Sequence, residues 1–331
     1  MDSPPAYRVD DRSILLPAYR RWLVDPVLPF IPAWVHPNWI THAGHLACLS
    51  AVVLLFATGG QGGAPYAIAA LLLQVYIWCD NADGAHARRV GKCSAVGEYL
   101  DHGLDILNTV YMGMLTALAL GLTPIGWVVV TLLIPGAAAI VMWEQAATGV
   151  YRLGLINQIE SSIVLGVALL GAAIFGTAVY ADTRVLGLEL RHALVLWCAA
   201  TILFGVARGV GRVARRTQRA LGPALALLAF GALAAYAVAA GALDTVPAVT
   251  IVTAVMIAFA ARMLSSRLHR KPPRTMVSLS LLLLLLAGGL TLNALTGAQI
   301  PGAEIATITA AALFAQTAVD AYLGFTSLAH T

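Results

Sequence analysis

Apolar runs of about twenty residues recur from end to end of this chain. A run of that length matches the hydrocarbon thickness of a bilayer when it is helical. They recur too often for one water-soluble core to bury them, and with 60% hydrophobic and 11% charged residues there is little polar surface to solvate such a core. A β-barrel would show ten-residue alternations, whereas these runs are continuous. The fold class expected is therefore all-α, a polytopic helical membrane protein with ten spans. They fall at about 39–59, 64–82, 95–120, 123–146, 158–180, 189–211, 221–241, 245–265, 275–296 and 303–327. Breaks such as Gly59–Gly63, Thr123-Pro124 and Gly222-Pro223 separate them.

The basic residues set the orientation. With a cytoplasmic N-terminus, eighteen of the 20 Lys and Arg fall on inside segments and two, Arg184 and Arg191, outside. Such asymmetry is the positive-inside pattern, and it supports an even number of spans. The first 38 residues mix Ile14, Leu15, Leu16, Trp22 and Leu23 with Arg20 and Arg21, broken by Pro17, Pro26, Pro29 and Pro32. That pattern predicts a segment lying on the membrane surface. It begins polar, so no cleavable signal peptide is expected. Cys48, Cys79, Cys93 and Cys198 have no zinc or disulfide spacing and read as small hydrophobes.

One stretch breaks the apolar pattern: DNADGAHARRVGKCSAVGEYLDHGLD, from Asp80 to Asp105. An acid inside an apolar span costs roughly 2.5–3.5 kcal/mol on insertion scales. Asp80 and Asp83 share a helix face, and Gly97, Asp101 and Asp105 line another over two turns. Carboxylate pairs on neighbouring helices can converge on divalent ions, and an all-oxygen set suits Mg²⁺ or Mn²⁺. Two such ions would clamp a pyrophosphate. Gly84 and Gly97 let a nucleotide approach the backbone, and Arg88, one turn after Gly84, can pair with a phosphate. Arg89 and Lys92 read as topology determinants. The basic loops 208–219 and 262–274 read as contacts to anionic headgroups, with phosphate binding as the other reading for Arg208 and Arg212.

The spacing D-x2-D-G-x2-A-R-x8-G-x3-D-x3-D is met at Asp80, Asp83, Gly84, Ala87, Arg88, Gly97, Asp101 and Asp105. It resembles the signature of the CDP-alcohol phosphotransferase (CDP-alcohol phosphatidyltransferase) family. PNWIT, which contains Asn38, is similar to the PN-x2-T element that precedes the signature. The wording of the stretch, together with WEQAATGVYRLGLINQIE over Trp143–Glu160, resembles the choline- and ethanolaminephosphotransferases. The chain departs from them at Ala85-His86, where those relatives usually carry Lys-Gln, and at Gln145–Ala147. The resemblance implies an interfacial segment over 1–38 and a six-span catalytic core over 39–213. The remaining four spans, 214–331, could serve dimerisation.

It also implies an activity: transfer of phosphocholine or phosphoethanolamine from a CDP-alcohol to a diacylglycerol-like lipid hydroxyl, with release of CMP. Asp80, Asp83, Asp101 and Asp105 would hold the metals, with Asn38, Gly84, Ala87, Arg88 and Gly97 around the nucleotide. The acceptor hydroxyl needs a base. Asp105 is the family's usual candidate; His102, with Glu98 four residues before it, is the other, because a neutral imidazole accepts protons readily near neutral pH. Glu144, Asn157, Glu160 and Arg208 are candidate contacts to the headgroup or its phosphate, since a cationic headgroup wants carboxylates and aromatic surface. For Glu144 and Glu160, pairing with Arg152 or the Arg208 cluster is the alternative.

The expected setting is a homodimer in a bacterial inner membrane, otherwise the endoplasmic reticulum, with its site facing the cytoplasm and no nucleic-acid partner. The runner-up activity is phosphatidyl transfer from CDP-diacylglycerol to serine, inositol or glycerol phosphate. A transporter would place its ionisable residues near mid-membrane and show internal repeats; this chain's acids cluster toward one side and no repeat is evident.

Overall fold

The structure, a computed structural model, describes residues 8–269, 271–298 and 300–329. Residues 1–7 of the interfacial segment, Arg270 of the 262–274 loop and residues 330–331 lie outside the described residues.

The fold is all-α. A single turn, α1 (Leu16–Tyr19), precedes the long helices α2 (Pro37–Thr58), α3 (Ala64–Val90), α4 (Ala95–Ala119), α5 (Pro124–Thr148) and α6 (Gln158–Phe175). After the short α7 (Val179–Asp182) come α8 (Leu190–Arg216), α9 (Gly222–Ala239), α10 (Thr245–Leu268), α11 (Val277–Thr296) and α12 (Gly302–Ala329). Each of the ten expected spans coincides with one long helix. Among the described residues seven of these, α2, α5, α6 and α8 to α11, are long and apolar enough to cross a membrane. α3 and α4 carry the acids instead.

Local chemistry sets many of the ends. Pro37 and Pro124 open α2 and α5, where a missing N–H costs nothing. Gly59, Gly91, Gly149 and Gly297 close α2, α3, α5 and α11 in the left-handed conformation. α6 stops at Phe175, short of the expected 180, because Gly176 leaves the helix at φ 77° and α7 starts separately. Between α7 and α8 a tight hairpin pairs Arg184 with Glu189 across Leu186 and Gly187, both at positive φ.

The helices form two compact units. The first comprises residues 1–122 and 152–201; the second comprises 123–151 and 202–331. This grouping by packing differs from the sequence-order division at 213, since α5 joins α9 to α12 and α8 runs from one unit into the other. In the second unit α10 packs against α5 and α12, and α9 against α5 and α11. In the first unit α2 packs against both α3 and α4, and α6 also touches both. The α2–α3 seam is close enough to require glycine: a Cβ on Gly44 would stand 2.8 Å from the Cβ of Cys79.

The N-terminal segment is laid over this first unit as a strap. Val24 is fully buried with Ile40, Cys79 and Ala82, and the Trp78 indole donates to the Leu23 carbonyl at 2.8 Å. Its other side leaves Trp22, Phe30 and Trp34 exposed.

Candidate active site

α3 does not end with its apolar run but continues to Val90, so Asp80 and Asp83 sit on its last three turns. After the Gly91 cap the chain re-enters helix at once, with Ser94 as N-cap: its Oγ accepts from the Gly97 amide at 3.0 Å. This short cap-to-cap connection places Asp101 and Asp105 beside the two earlier acids. Carboxylate oxygens of Asp80, Asp101 and Asp105 all lie within 4.8 Å of one another. Asp105 reaches Asp80, and Asp101 reaches Asp83, across the two helices.

Asp83 is the most enclosed of the four, at 3% exposure. Thr41 Oγ1 donates to its Oδ2 at 2.6 Å, and the Gly84 amide to its Oδ1. Three half-buried carboxylates with oxygen-only donors, and a fourth braced beside them, fit a hard divalent cation such as Mg²⁺ or Mn²⁺.

Side chains of the site lie close to both glycines. A Cβ on Gly97 would stand 3.1 Å from Ser94 Oγ and 3.5 Å from Asn38 Oδ1, so Asn38 of α2 sits directly beside it. Beside Gly84 lies Arg88, exposed, its Nη1 3.5 Å from where a Cβ would be. Ala87 is half-buried on the same turn. His102 is buried at 8% exposure, adjacent to Asp101 in sequence and one turn after the half-buried Glu98.

Several site residues were not picked out from the sequence. The Tyr76 hydroxyl donates to Asp105 Oδ1 at 3.4 Å and accepts from Gln158 Nε2 at 2.7 Å. Gln158 also reaches Asp80. On α2, Asn38, Thr41 and His45 form one polar stripe at i, i+3 and i+7; His45 Nδ1 lies 3.1 Å from Oδ1 of the buried Asn108 on α4. That spacing was the available signal, hidden in an otherwise apolar helix. Tyr19 of the strap is half-buried, and burial, with Asp80 and Cys79 nearby, pushes its hydroxyl up to about 12.

The remaining candidates are held by other partners. Asn157 caps α6, its Oδ1 accepting from Ile159 N at 3.3 Å and its Nδ2 donating to Asp11 at 3.0 Å. Glu160 completes the capping box and accepts from Asn157 N at 3.1 Å, Ser13 Oγ at 2.7 Å and Leu15 N at 2.9 Å. Glu160 therefore fastens the strap. In the second unit Glu144, 2% exposed, receives the Arg212 fork at 2.6 and 2.7 Å. Arg208 is exposed, its guanidinium 5.6 Å from the Phe204 ring centroid.

Known proteins share this arrangement of sequence. Cholinephosphotransferase 1 of Gallus gallus is 35% identical over 206 residues, 57% of this chain and 59% of its own length. Cholinephosphotransferase 1 of Xenopus laevis is 33% identical over 181 residues, covering 51% and 44%. A CDP-diacylglycerol–serine O-phosphatidyltransferase of Encephalitozoon cuniculi (strain GB-M1) is 32% identical over 168 residues, covering 46% and 41%. The chain thus spans about half the length of the curated relatives it matches. The family model described as CDP-alcohol phosphatidyltransferase matches residues 34–202, just over half of the chain and the stretch that holds the aspartates, their α2 braces and Gln158. The chain belongs to the CDP-alcohol phosphatidyltransferase family.

Proposed function

We propose that this protein transfers a phospho-alcohol headgroup, phosphocholine or phosphoethanolamine, from a CDP-alcohol to the hydroxyl of a diacylglycerol-like lipid, releasing CMP. The observation that carries the reading is the meeting of Asp80, Asp101 and Asp105 between α3 and α4, inside the stretch matched by the CDP-alcohol phosphatidyltransferase family model, in a chain similar to cholinephosphotransferases.

Asp80, Asp101 and Asp105, with Asp83 beside them, would hold one or two Mg²⁺ or Mn²⁺ ions. Such ions, when bound, neutralise pyrophosphate charge and favour departure of CMP. The chain's own residues do the rest. Asn38, Gly84, Ala87, Arg88 and Gly97 receive the nucleotide and its phosphates, with the Arg88 fork suited to a phosphate oxygen. The lipid oxygen attacks the phosphorus that carries the alcohol, the bond from that phosphorus to the CMP oxygen breaks, and the hydroxyl proton passes to an imidazole nitrogen of His102, with Asp105 as the alternative acceptor. Glu98 stabilises the resulting imidazolium.

The site faces the cytoplasm, where a soluble nucleotide reaches it while a lipid arrives between helices. The membrane is a bacterial inner membrane or the endoplasmic reticulum, and the protein works as a homodimer. The serine phosphatidyltransferase relative supports a second reading, in which CDP-diacylglycerol is the donor and a small polar alcohol the acceptor. Purified protein with Mg²⁺ or Mn²⁺ is offered CDP-choline, CDP-ethanolamine and CDP-diacylglycerol against lipid and polar acceptors, and CMP is measured. The expected result is CMP from a CDP-alcohol and a lipid hydroxyl, abolished by excess EDTA. Release only from CDP-diacylglycerol selects the second reading. No CMP from any pairing, or release indifferent to EDTA, overturns both.

A further inference from the structure

Outside the aspartates lies a fully buried histidine that the mechanism does not use. His86 is 0% exposed and sits on α3 one turn beyond Asp83. Its Nε2 lies 3.0 Å from the Val35 carbonyl, and its Nδ1 lies 3.1 Å from Arg89 Nη2. The same Arg89 nitrogen donates to the Ile31 carbonyl. A guanidinium can only donate, so Nδ1 is the acceptor and Nε2 carries the proton given to Val35. The two side chains thus grip both ends of the Ile31–Val35 stretch that leads directly into α2.

We infer that His86 is a positioning residue that sets the entry of α2 against α3 and thereby the place of Asn38. The geometry is a three-point register. Val35 is tied to His86 by the bond just described, and Thr41 is tied to Asp83 at 2.6 Å. Asn38 lies between these two ties, its Oδ1 held beside Gly97. His36 adds only a local cap, its Nδ1 accepting from the Asn38 amide at 3.3 Å, and it is exposed. With the His86 bond lost, α2 is pinned from Thr41 onward but free to fray before it, and Asn38 lies on the fraying side. The defect therefore falls on the nucleotide contacts of the site. The inference rests on the proposed reading of Asn38 and Gly97 as nucleotide contacts.

The test compares wild type, His86→Leu and His86→Gln in full-length protein, using CDP-choline and diacylglycerol, with hydrogen exchange read at residues 38–41. His86→Leu fills the space without either bond; glutamine offers a donor and an acceptor in their place. His86→Leu is expected to raise KM for CDP-choline about tenfold, the size of one buried hydrogen bond, with kcat and the diacylglycerol KM within about threefold. Exchange at 38–41 accelerates, and His86→Gln restores both. Should His86→Leu fail to fold, His86→Asn, which cannot span both partners, takes its place with the same expectation. An unchanged CDP-choline KM, or a deficit that His86→Gln does not repair, overturns the inference. A wild-type protein that releases no CMP overturns the functional reading instead, while the exchange comparison still decides whether His86 holds α2.

Discussion

Glu160 can be read as a headgroup carboxylate or as the clasp of the N-terminal strap, and Glu160→Gln separates the two. Its Oε1 accepts from Ser13 Oγ and Leu15 N, and its Oε2 from Asn157 N. Glutamine keeps one oxygen for the strap but turns an amide N–H₂ toward the Asn157 N–H, so that donor loses its acceptor. Two bonds fall from charge-assisted to neutral, at about 1 kcal/mol each, and one donor is orphaned at about 1–3 kcal/mol. Because strap and cap are only partly buried, a local cost of about 2–4 kcal/mol is expected. This corresponds to roughly 30- to 700-fold faster amide exchange over Ser13–Tyr19, where exchange runs by local opening. Ser13→Ala, which removes the bond to Glu160 and the acceptor of Leu16 N but keeps the carboxylate, also accelerates exchange in the same segment. As a clasp, Glu160 affects CDP-choline and CDP-glycerol, whose alcohol headgroup is uncharged, alike. A Glu160→Gln protein with unchanged strap exchange and a KM raised for CDP-choline alone would refute this reasoning and return the residue to the headgroup.

Four further outcomes follow from the contacts. His102→Ala abolishes turnover while equilibrium binding of CDP-choline persists; survival of turnover in His102→Ala with loss in Asp105→Asn moves the base to Asp105. Tyr76→Phe removes the hydroxyl between Gln158 and Asp105 and lowers kcat about tenfold, whereas a purely packing role leaves kcat unchanged. Arg212→Ala removes the guanidinium fork from the buried Glu144 carboxylate. Breaking a buried pair costs about 3–5 kcal/mol, and the partial exposure of Arg212 brings this to about 2–4, read as a fall in Tm in detergent. Tyr19 supplies a pH signature: its folded value is raised, so its contribution to strap docking is complete below about 10 and is lost as pH rises through about 12. The tyrosinate absorbance then rises together with strap exchange, and a strap that loosens before Tyr19 titrates contradicts the link.

How much of this could be read beforehand depends on the range of the interaction. Each membrane helix announces itself within its own residues, which is why ten apolar runs became ten long helices. The ends moved where a local element overrode the run, as when polar Asp80–Val90 stayed helical until Gly91. The aspartates were legible because i+3 and i+4 spacing is local. Their partners were not: Thr41 and Asp83 are 42 residues apart, Tyr76 and Gln158 82, Ser13 and Glu160 147. No period in the sequence connects such pairs.

The rule that a membrane acid needs compensation therefore holds for Glu144 and Glu160 but does not by itself identify the compensator. Glu144 takes two donors from Arg212, and Glu160 takes three neutral donors from a strap and a cap. Both are satisfied by the chain itself. Asp80, Asp101 and Asp105 are placed differently: their oxygens converge on one another, and the neutral Tyr76 and Gln158 reach only Asp105 and Asp80. Mutual approach of ionised carboxylates is repulsive unless a cation joins them or they share a proton. What sets these three aspartates apart from Glu144 and Glu160 is thus convergence: their oxygens meet where the chain supplies few donors, an arrangement that could hold a metal ion.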